Sequence, residues 1–219
     1  MHVGHFAVGL AAKRIEPRIS LGTAVLAATF ADFVFFLLSI AGIERAGFLP
    51  NVATNRFFGY DIAYSHSLFI DVVWASSLAL IYLLCRRYPR GAWILFATVL
   101  SHWLLDVVSH RPDMPLAPGV HVTLGLGLWN SPLATLAVEG GCWLLAIILY
   151  VRATHPKNRA GTYAFWIGVA ILTFFGAVNV LAMKPPPNPV QAGIVSLVYF
   201  SLVVGWAYWM NRLRVVYNR

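Results

Sequence analysis

Three histidines and two aspartates lie in or beside the most apolar stretches of this 219-residue chain: His5, Asp32, His66, His102 and Asp106. An ionisable side chain at membrane depth is costly, and it persists by pairing, by facing a water-filled cavity or by binding a metal ion. Imidazole and carboxylate groups together are typical zinc ligands, with manganese and iron as alternatives. The pattern therefore predicts a metal site inside an apolar protein.

Part of this set has the spacing of a chelating helix face. His102, Asp106 and His110 recur every four residues, which on an α-helix places them on one face in successive turns. His102 and Asp106 can then reach one ion. The alternative is a buried His–Asp hydrogen-bonded pair that fastens two helices, and the spacing alone does not decide between them.

Two acids are candidates for proton transfer. Asp32 lies in an aromatic, apolar run, and no basic residue lies at its depth inside any predicted span, which favours a ligand or a proton carrier. Glu139 precedes Gly140 and Gly141 and is a candidate ligand or general base. The alternative is that the glycines allow close helix packing while Glu139 bonds to a neighbour. We take Asp32 and Glu139 as the candidate catalytic residues.

His66 stands in the sequence Tyr64-Ser65-His66-Ser67, directly before an apolar run. The serines are candidates either for fixing the imidazole tautomer or for capping the following helix. His66 reaches the other candidate ligands only if the loop 41–66 dips inward, so a shared metal site requires that dip.

The composition is that of an integral membrane protein. The chain is 59% hydrophobic and 11% charged, against about 25% charged in an ordinary soluble domain, and its mean hydropathy is +0.72. The net charge of +8 comes from Lys and Arg in short loops, which is typical of membrane orientation signals and not of nucleic-acid binding. Cys85 and Cys142 lie in apolar runs, where we expect them to be buried.

The apolar runs predict an all-α fold with six transmembrane helices in one domain, 1–219. Each run is long enough, or nearly so, to cross about 30 Å of hydrocarbon. The half 1–151 holds the candidate site, and the pair 163–210, which has no acid and no histidine, is predicted to be a scaffold. The six spans are Leu21–Ile40, Ser67–Leu84, Ala92–Val108, Pro132–Val151, Tyr163–Met183 and Val190–Met210.

Basic residues alternate between the loops. Lys and Arg concentrate before the first span, between the second and third, between the fourth and fifth, and after the sixth. The positive-inside rule then predicts cytoplasmic termini, with loops 41–66, 109–131 and 184–189 outside.

The segment before the first span is apolar but too short to cross. Met1–Ala12 is followed by basic residues, and Pro17 then interrupts the chain. We predict a half-helix that re-enters the membrane and descends to Arg14, with an interfacial amphipathic helix as the alternative. Helical rise then brings the candidate ligands together near the midplane and outer half.

Taken together, the motifs resemble those of bacterial inner-membrane proteins described as membrane-bound metal-dependent hydrolases. The resemblance covers roughly Met1 to Glu139 and rests on Gly4-His5, Asp32, Ser65-His66-Ser67, Ser101-His102…Asp106 and the runs 110–115 and 127–131. The ligand order is also similar to that of zinc-dependent phospholipase C and its nuclease relatives, which hydrolyse phosphodiesters. These resemblances imply a zinc-binding set with second-ion ligands at His110 and Glu139; the set is His5, Asp32, His66, His102 and Asp106.

The chain departs from both patterns. Apolar residues from Phe33 onward replace an Asp and a His that often follow the first Asp, Asp61 stands where a His is frequent, and no late His-x3-Glu is present. One zinc ion is therefore favoured over two or three.

Three function hypotheses follow. The first is a zinc-dependent hydrolase of the bacterial inner membrane, acting on a lipid or other phosphoester or ester, with no nucleic-acid partner and with a homo-oligomer left open. The second is a transporter that uses the buried carboxylates as proton or ion sites. The third is a non-catalytic membrane protein with a structural metal. The sequence assigns no role to His2, Asp71 or His121.

Overall fold

A computed structural model describes residues 1–49, 57–181 and 188–217 of the chain. It is mostly helical, at 73% helix, which confirms the expected class. The helices are α1 (Val3–Ile15), α2 (Leu21–Ala28), α3 (Phe30–Ile40), α4 (Leu68–Arg86), α5 (Pro89–Ser109), α6 (Pro132–Ala153), α7 (Arg159–Leu181) and α8 (Pro189–Leu213).

Five of these helices, α4 to α8, are long and apolar enough to cross a membrane, and α2 with α3 makes a sixth candidate. The predicted span Leu21–Ile40 is wrong in one respect, because the chain bends by 58° between α2 and α3. At the break, the Thr29 hydroxyl donates to the Val25 carbonyl at 2.9 Å, and such bonding to the preceding turn bends helices. The bend leaves Asp32 in the first turn of α3.

Short antiparallel strand pairs, which the sequence analysis did not predict, connect the helices. The first pair returns the chain from α3 towards α4, and the segment that follows it is buried at Ile62 and from Ser65 to Ser67. The pairs are β1 (Arg45–Phe48) with β2 (Phe57–Asp61), β3 (Met114–Pro115) with β4 (Thr123–Leu124), and β5 (Thr154–Pro156) with β6 (Arg214–Val216).

The N-terminal helix α1 lies inside the bundle, packed against α2, α5 and α6. Nine of its 13 residues are buried. Gly9 permits close approach to α2, since a Cβ there would lie 2.9 Å from the Val25 Cα. The helix α1 is therefore an interior element of the bundle. Its depth in a membrane stays a prediction.

Three apolar clusters hold the helices together. The first joins α1, α2, α6, α7 and α8 around Phe6 and Phe165, and the second joins α1, α2, α4 and α5 around Leu95 and Val99. The third joins α3 and α5 around Trp103. The helix α8 packs against both α2 and α3, so it supports the two sides of the break.

The prediction that the two cysteines are buried is wrong. Cys85 and Cys142 are both exposed. They lie on outer faces of the bundle, where lipid in place of a protein core would supply the apolar surroundings.

Candidate metal centre

The five histidine and aspartate residues singled out by the sequence converge inside the bundle. The helix α1 supplies His5, the first turn of α3 supplies Asp32, and α5 supplies His102 and Asp106, while His66 precedes α4. Their side-chain nitrogen and oxygen atoms form two groups, His5–Asp32–His102 and His66–His102–Asp106, within each of which the atoms lie within 4.8 Å of one another. This buried cluster could hold a metal ion.

The spacing of the donor atoms suits a small cation. Asp106 Oδ2 lies 3.1 Å from His102 Nε2 and 3.8 Å from His66 Nε2. Asp32 Oδ1 lies 3.8 Å from His66 Nε2 and 3.9 Å from His102 Nε2. Ligand atoms about 2.0–2.1 Å from a tetrahedral zinc ion lie about 3.3 Å apart, so the donors need only small movements to close around one.

The break between α2 and α3 orients His102. Its Nδ1 lies 2.9 Å from the carbonyl of Ala28, the last residue of α2, whose carbonyl is freed by the helix end. A carbonyl only accepts hydrogen bonds, so Nδ1 carries the proton. In the neutral ring the Nε2 lone pair then faces the carboxylates, 3.1 Å from Asp106 Oδ2.

His66 is oriented in the same sense by a different partner. Its Nδ1 lies 2.7 Å from Ser65 Oγ, and Ser65 Oγ donates to Glu44 Oε2 at 2.5 Å. The serine hydroxyl therefore accepts from Nδ1–H, and His66 Nε2 is left facing Asp32 and Asp106. The segment before α4 therefore brings His66 to the other candidate ligands, as a shared site requires.

Each of the two serines beside His66 has one of the two roles considered for them. Ser65 is the partner of the imidazole. Ser67 caps α4, accepting from the backbone N–H of Ile70 at 3.4 Å and donating to the Ala63 carbonyl at 2.6 Å.

The charge arrangement inside the cluster suits a cation. With both rings neutral, two imidazole lone pairs point at two carboxylates in a buried site, which is unfavourable unless a metal ion or a ring proton lies between them. The Met1 nitrogen also lies in this cluster, paired with Asp106 Oδ1 and 2.9 Å from His5 Nε2. His5 also stacks on His102 with ring centroids 3.7 Å apart, so protonating both rings would place two like charges in contact. The donor set therefore suits a metal ion.

His110 is not the third member of a helix face as the spacing predicted. The helix α5 ends at Ser109, and His110 has an extended backbone with ψ of 155°, consistent with the approach of Pro112, which disfavours helix at Arg111. His110 Nδ1 lies 2.9 Å from Asp113 Oδ1, and its Nε2 is 3.9 Å from Asp106 Oδ2. It borders the cluster without joining either group of described residues, and its role as a ligand stays a prediction.

Glu139 lies on α6 at the start of α1. It is buried, and its Oε2 accepts the backbone N–H of His2 at 2.8 Å, which is the neighbour bonding considered as an alternative. Close helix packing at the adjacent glycines is not observed, because a Cβ added at Gly140 or Gly141 would meet no described atom within 4 Å. Glu139 is in neither metal-binding group of the described residues, so a catalytic role stays a prediction.

The three unassigned residues lie outside the cluster. His2 stacks on Tyr199 of α8 at 5.7 Å, Asp71 is fully buried on α4, and His121 is exposed in a loop.

Glu44 is the site residue that the sequence analysis missed. It is 2% exposed and receives hydrogen bonds from Tyr64 and Ser65. Burial raises the pKa of its carboxyl, and these hydrogen bonds oppose the rise. It lies in an irregular loop with no periodicity, so no spacing signal connected it to His66.

No protein-family model, curated protein or solved structure matches this chain. The similarity to metal-dependent hydrolases thus stays an interpretation of the motifs. What stands is a mostly helical chain with helices suited to a membrane and a buried histidine–aspartate cluster that could hold a metal ion.

Proposed function

We propose that this chain is a membrane-embedded, zinc-dependent hydrolase that acts on a lipid or other phosphoester or ester. The observation that carries the proposal is that the imidazole rings of His66 and His102 are oriented in the same way. Each imidazole is anchored through Nδ1 and directs Nε2 to the same two carboxylates. Metal-binding histidines are oriented in this way by their outer partners.

The donor set favours one zinc ion. Nitrogen and carboxylate ligands in a compact arrangement suit zinc better than the all-oxygen sites typical of magnesium or calcium. Both candidate groups include His102, and its Nδ1 is already bonded to Ala28. One remaining nitrogen serves one ion, so the two groups describe alternative ligand sets for a single centre, with manganese and iron as alternative metals.

The residues divide into holding and proton-accepting roles. His66, His102 and Asp106 would hold the ion, as three protein ligands do in catalytic zinc sites. Zinc bound by them would lower the pKa of a coordinated water towards about 7 and polarise a phosphoryl or carbonyl oxygen. Asp32 accepts the proton, since its carboxylate faces both His66 and His102 and its side chain is 19% exposed, against 2% for Asp106.

An apolar groove on the bundle supports a lipid as the substrate. It lies between α1, α5 and α6, has a volume of about 170 Å³, and is lined by apolar residues that include Ala7 and Leu145. Gly4 and Leu105 also line it, and they precede His5 and Asp106 in the chain. Its apolar lining suits an acyl chain better than a water-soluble group, and none of the candidate metal ligands lines it.

The proposed location is the bacterial inner membrane, with both termini in the cytoplasm. The alternation of basic loops along the six candidate spans supports this orientation. A reporter fused at Arg219 is expected to read cytoplasmic, and one inserted in the loop 109–131 is expected to read external. The opposite pattern would reverse the orientation and place the loop containing His66 on the cytoplasmic side.

Hydrolysis of lipids in vesicles tests the enzymatic proposal. The purified protein is expected to release product from at least one lipid phosphoester or ester class, to lose this activity to a chelator and to regain it with zinc. The matched control is His102→Ala, which is expected to be inactive under all three conditions. Absence of ion-dependent turnover across every lipid class would refute the hydrolase proposal.

A second candidate function, transport, is favoured by one observation. The bent pair α2–α3 places Asp32 in the first turn after a helix break, and broken helices at membrane depth form ion and substrate sites in transporters. Uptake into liposomes driven by a pH or ion gradient, with the substrate chemically unchanged, would establish transport in place of hydrolysis.

A further inference from the structure

We infer that Glu44 is a positioning residue that fixes the tautomer of His66 through Ser65. This inference rests on the proposed metal site, since it concerns one of its ligands. The three residues, here called the Glu44–Ser65–His66 chain, are 2%, 0% and 5% exposed. These three residues therefore lie away from solvent, where the direction of each hydrogen bond is set by the protein groups alone.

Both oxygens of Glu44 are committed to the segment that carries His66. Oε1 accepts the backbone N–H groups of Tyr64 at 2.7 Å and Ser65 at 2.9 Å. Oε2 accepts the Ser65 hydroxyl at 2.5 Å. Glu44 thus both anchors the backbone beside His66 and determines where the serine proton lies.

The direction of the hydrogen bonds follows from the carboxylate. An ionised carboxylate only accepts, so the Ser65 hydroxyl donates to Glu44 and must accept from His66 Nδ1 at 2.7 Å. The proton on Nδ1 leaves the lone pair on Nε2, towards Asp32 and Asp106. An outer carboxylate of this kind also makes the imidazole a more basic ligand.

The fold connects the Glu44–Ser65–His66 chain to the opposite side of the candidate metal centre. Glu44 lies four residues after the end of α3, the helix that carries Asp32, and directly before β1. The β1–β2 pair then returns the backbone to His66. Glu44 therefore ties the His66 segment to the helix that presents Asp32, and the two candidate ligands are positioned together.

Glu44→Gln is a sharp test because it keeps the backbone anchor and reverses the hydrogen bonds. The two backbone N–H groups require the amide oxygen at the Oε1 position, so the amide NH2 faces Ser65 Oγ. With the amide donating to Oγ, the Ser65 proton is free to point at His66 Nδ1, which favours the tautomer with the imidazole proton on Nε2 and blocks that atom as a ligand. Ser65→Ala removes the same link and leaves the Glu44 bonds to the backbone in place.

Zinc affinity of the full-length protein in detergent is the first readout. Both Glu44→Gln and Ser65→Ala are expected to weaken zinc binding by about 10- to 100-fold, the usual effect of losing an outer partner. The double variant is expected to lose little more than the stronger single variant, since both act through one chain. The matched control is Ser67→Ala, which removes a buried serine that caps α4 and should leave zinc affinity unchanged.

The tautomer of His66, read from imidazole ¹⁵N shifts of the zinc-free protein, is the second readout. A proton on Nδ1 in the wild type that moves to Nε2 in Glu44→Gln supports the inference, whether or not zinc binds. A wild type that binds no zinc but shows this switch refutes the metal site and leaves the positioning role standing. Unchanged zinc affinity in both variants, or an unchanged tautomer in Glu44→Gln, overturns the inference.

Discussion

At the scale of residues, the centre depends on the direction in which each polar atom points. His66 and His102 come from different parts of the chain, yet both donate through Nδ1 and present Nε2 to Asp32 and Asp106. The Nδ1 anchors aim both Nε2 atoms at the carboxylates, which suits a metal ion, whereas a proton on Nε2 would make the His–Asp pair that only fastens helices.

Asp32→Asn is predicted to separate metal binding from proton transfer. The amide cannot accept a proton, while His66, His102 and Asp106 still hold the ion. Zinc content should be retained, and kcat should fall by about 100- to 10,000-fold, the usual contribution of a general base. Metal analysis and turnover measured on the same sample check both parts.

Two comparisons make the Asp32 result decisive. Asp61→Asn changes an exposed acid at the end of β2 and should leave both quantities unchanged. Glu139→Gln tests the other candidate base, which the structure places on the N–H of His2. Loss of turnover in Glu139→Gln with normal turnover in Asp32→Asn would exchange the two roles.

The residue types of the site could be predicted from the sequence, but its outer partners could not. Histidine and aspartate stand out in apolar runs because hydrocarbon rejects them. Glu44 lies in a loop between apolar runs, where an acidic residue does not stand out. Only the β1–β2 hairpin brings it to Ser65.

At the scale of elements, the main feature is the break between α2 and α3. Continuous hydropathy over Leu21–Ile40 predicted one helix, because neither Gly nor Pro interrupts it near its middle. The bend occurs at Thr29, whose hydroxyl donates to the Val25 carbonyl. A threonine within an apolar run is compatible with a continuous helix, so it did not predict a break. The break has a consequence for the site, because it frees the Ala28 carbonyl that orients His102.

The contact between α1 and α2 is predicted to tolerate no side chain at Gly9. A Cβ there would lie 2.8 Å from Val25 Cγ2 and 2.9 Å from its Cα, so Gly9→Ala must push the two helices apart. Its free energy of unfolding should fall by about 1–3 kcal/mol, as for other overpacked sites. Thermal or denaturant unfolding in detergent measures the change.

Gly140→Ala supplies the matched control for Gly9→Ala. No described atom lies within 4 Å of a Cβ at that position on α6, so the substitution should be neutral or stabilising by up to about 1 kcal/mol from helix propensity. Equal destabilisation by the two variants would contradict the close packing of α1.

At the scale of the whole molecule, the centre joins parts of the bundle that are distant in sequence. Its residues come from α1, α3, α5 and the segment before α4. An ion held by His66, His102 and Asp106 would join α5 to the segment before α4, so zinc binding should stabilise the contacts between these parts of the bundle.

Zinc is therefore predicted to raise the thermal stability of the wild-type protein. At a free concentration one hundred times its Kd, the ion should contribute about 2.7 kcal/mol to the free energy of unfolding. Melting curves with zinc and with a chelator measure the difference. The shift should vanish in His102→Ala, and an equal shift in that variant would mean that zinc acts elsewhere on the chain.

The zinc content of purified protein tests the central claim most directly. Elemental analysis should find about one zinc per chain in the wild type, and none in a folded variant carrying both His102→Ala and Asp106→Ala. His121→Ala, which changes an exposed loop histidine, should retain the wild-type content. Well-folded wild-type protein that holds no zinc, even after zinc is supplied, would contradict the metal centre and make the buried acids candidate proton or ion carriers.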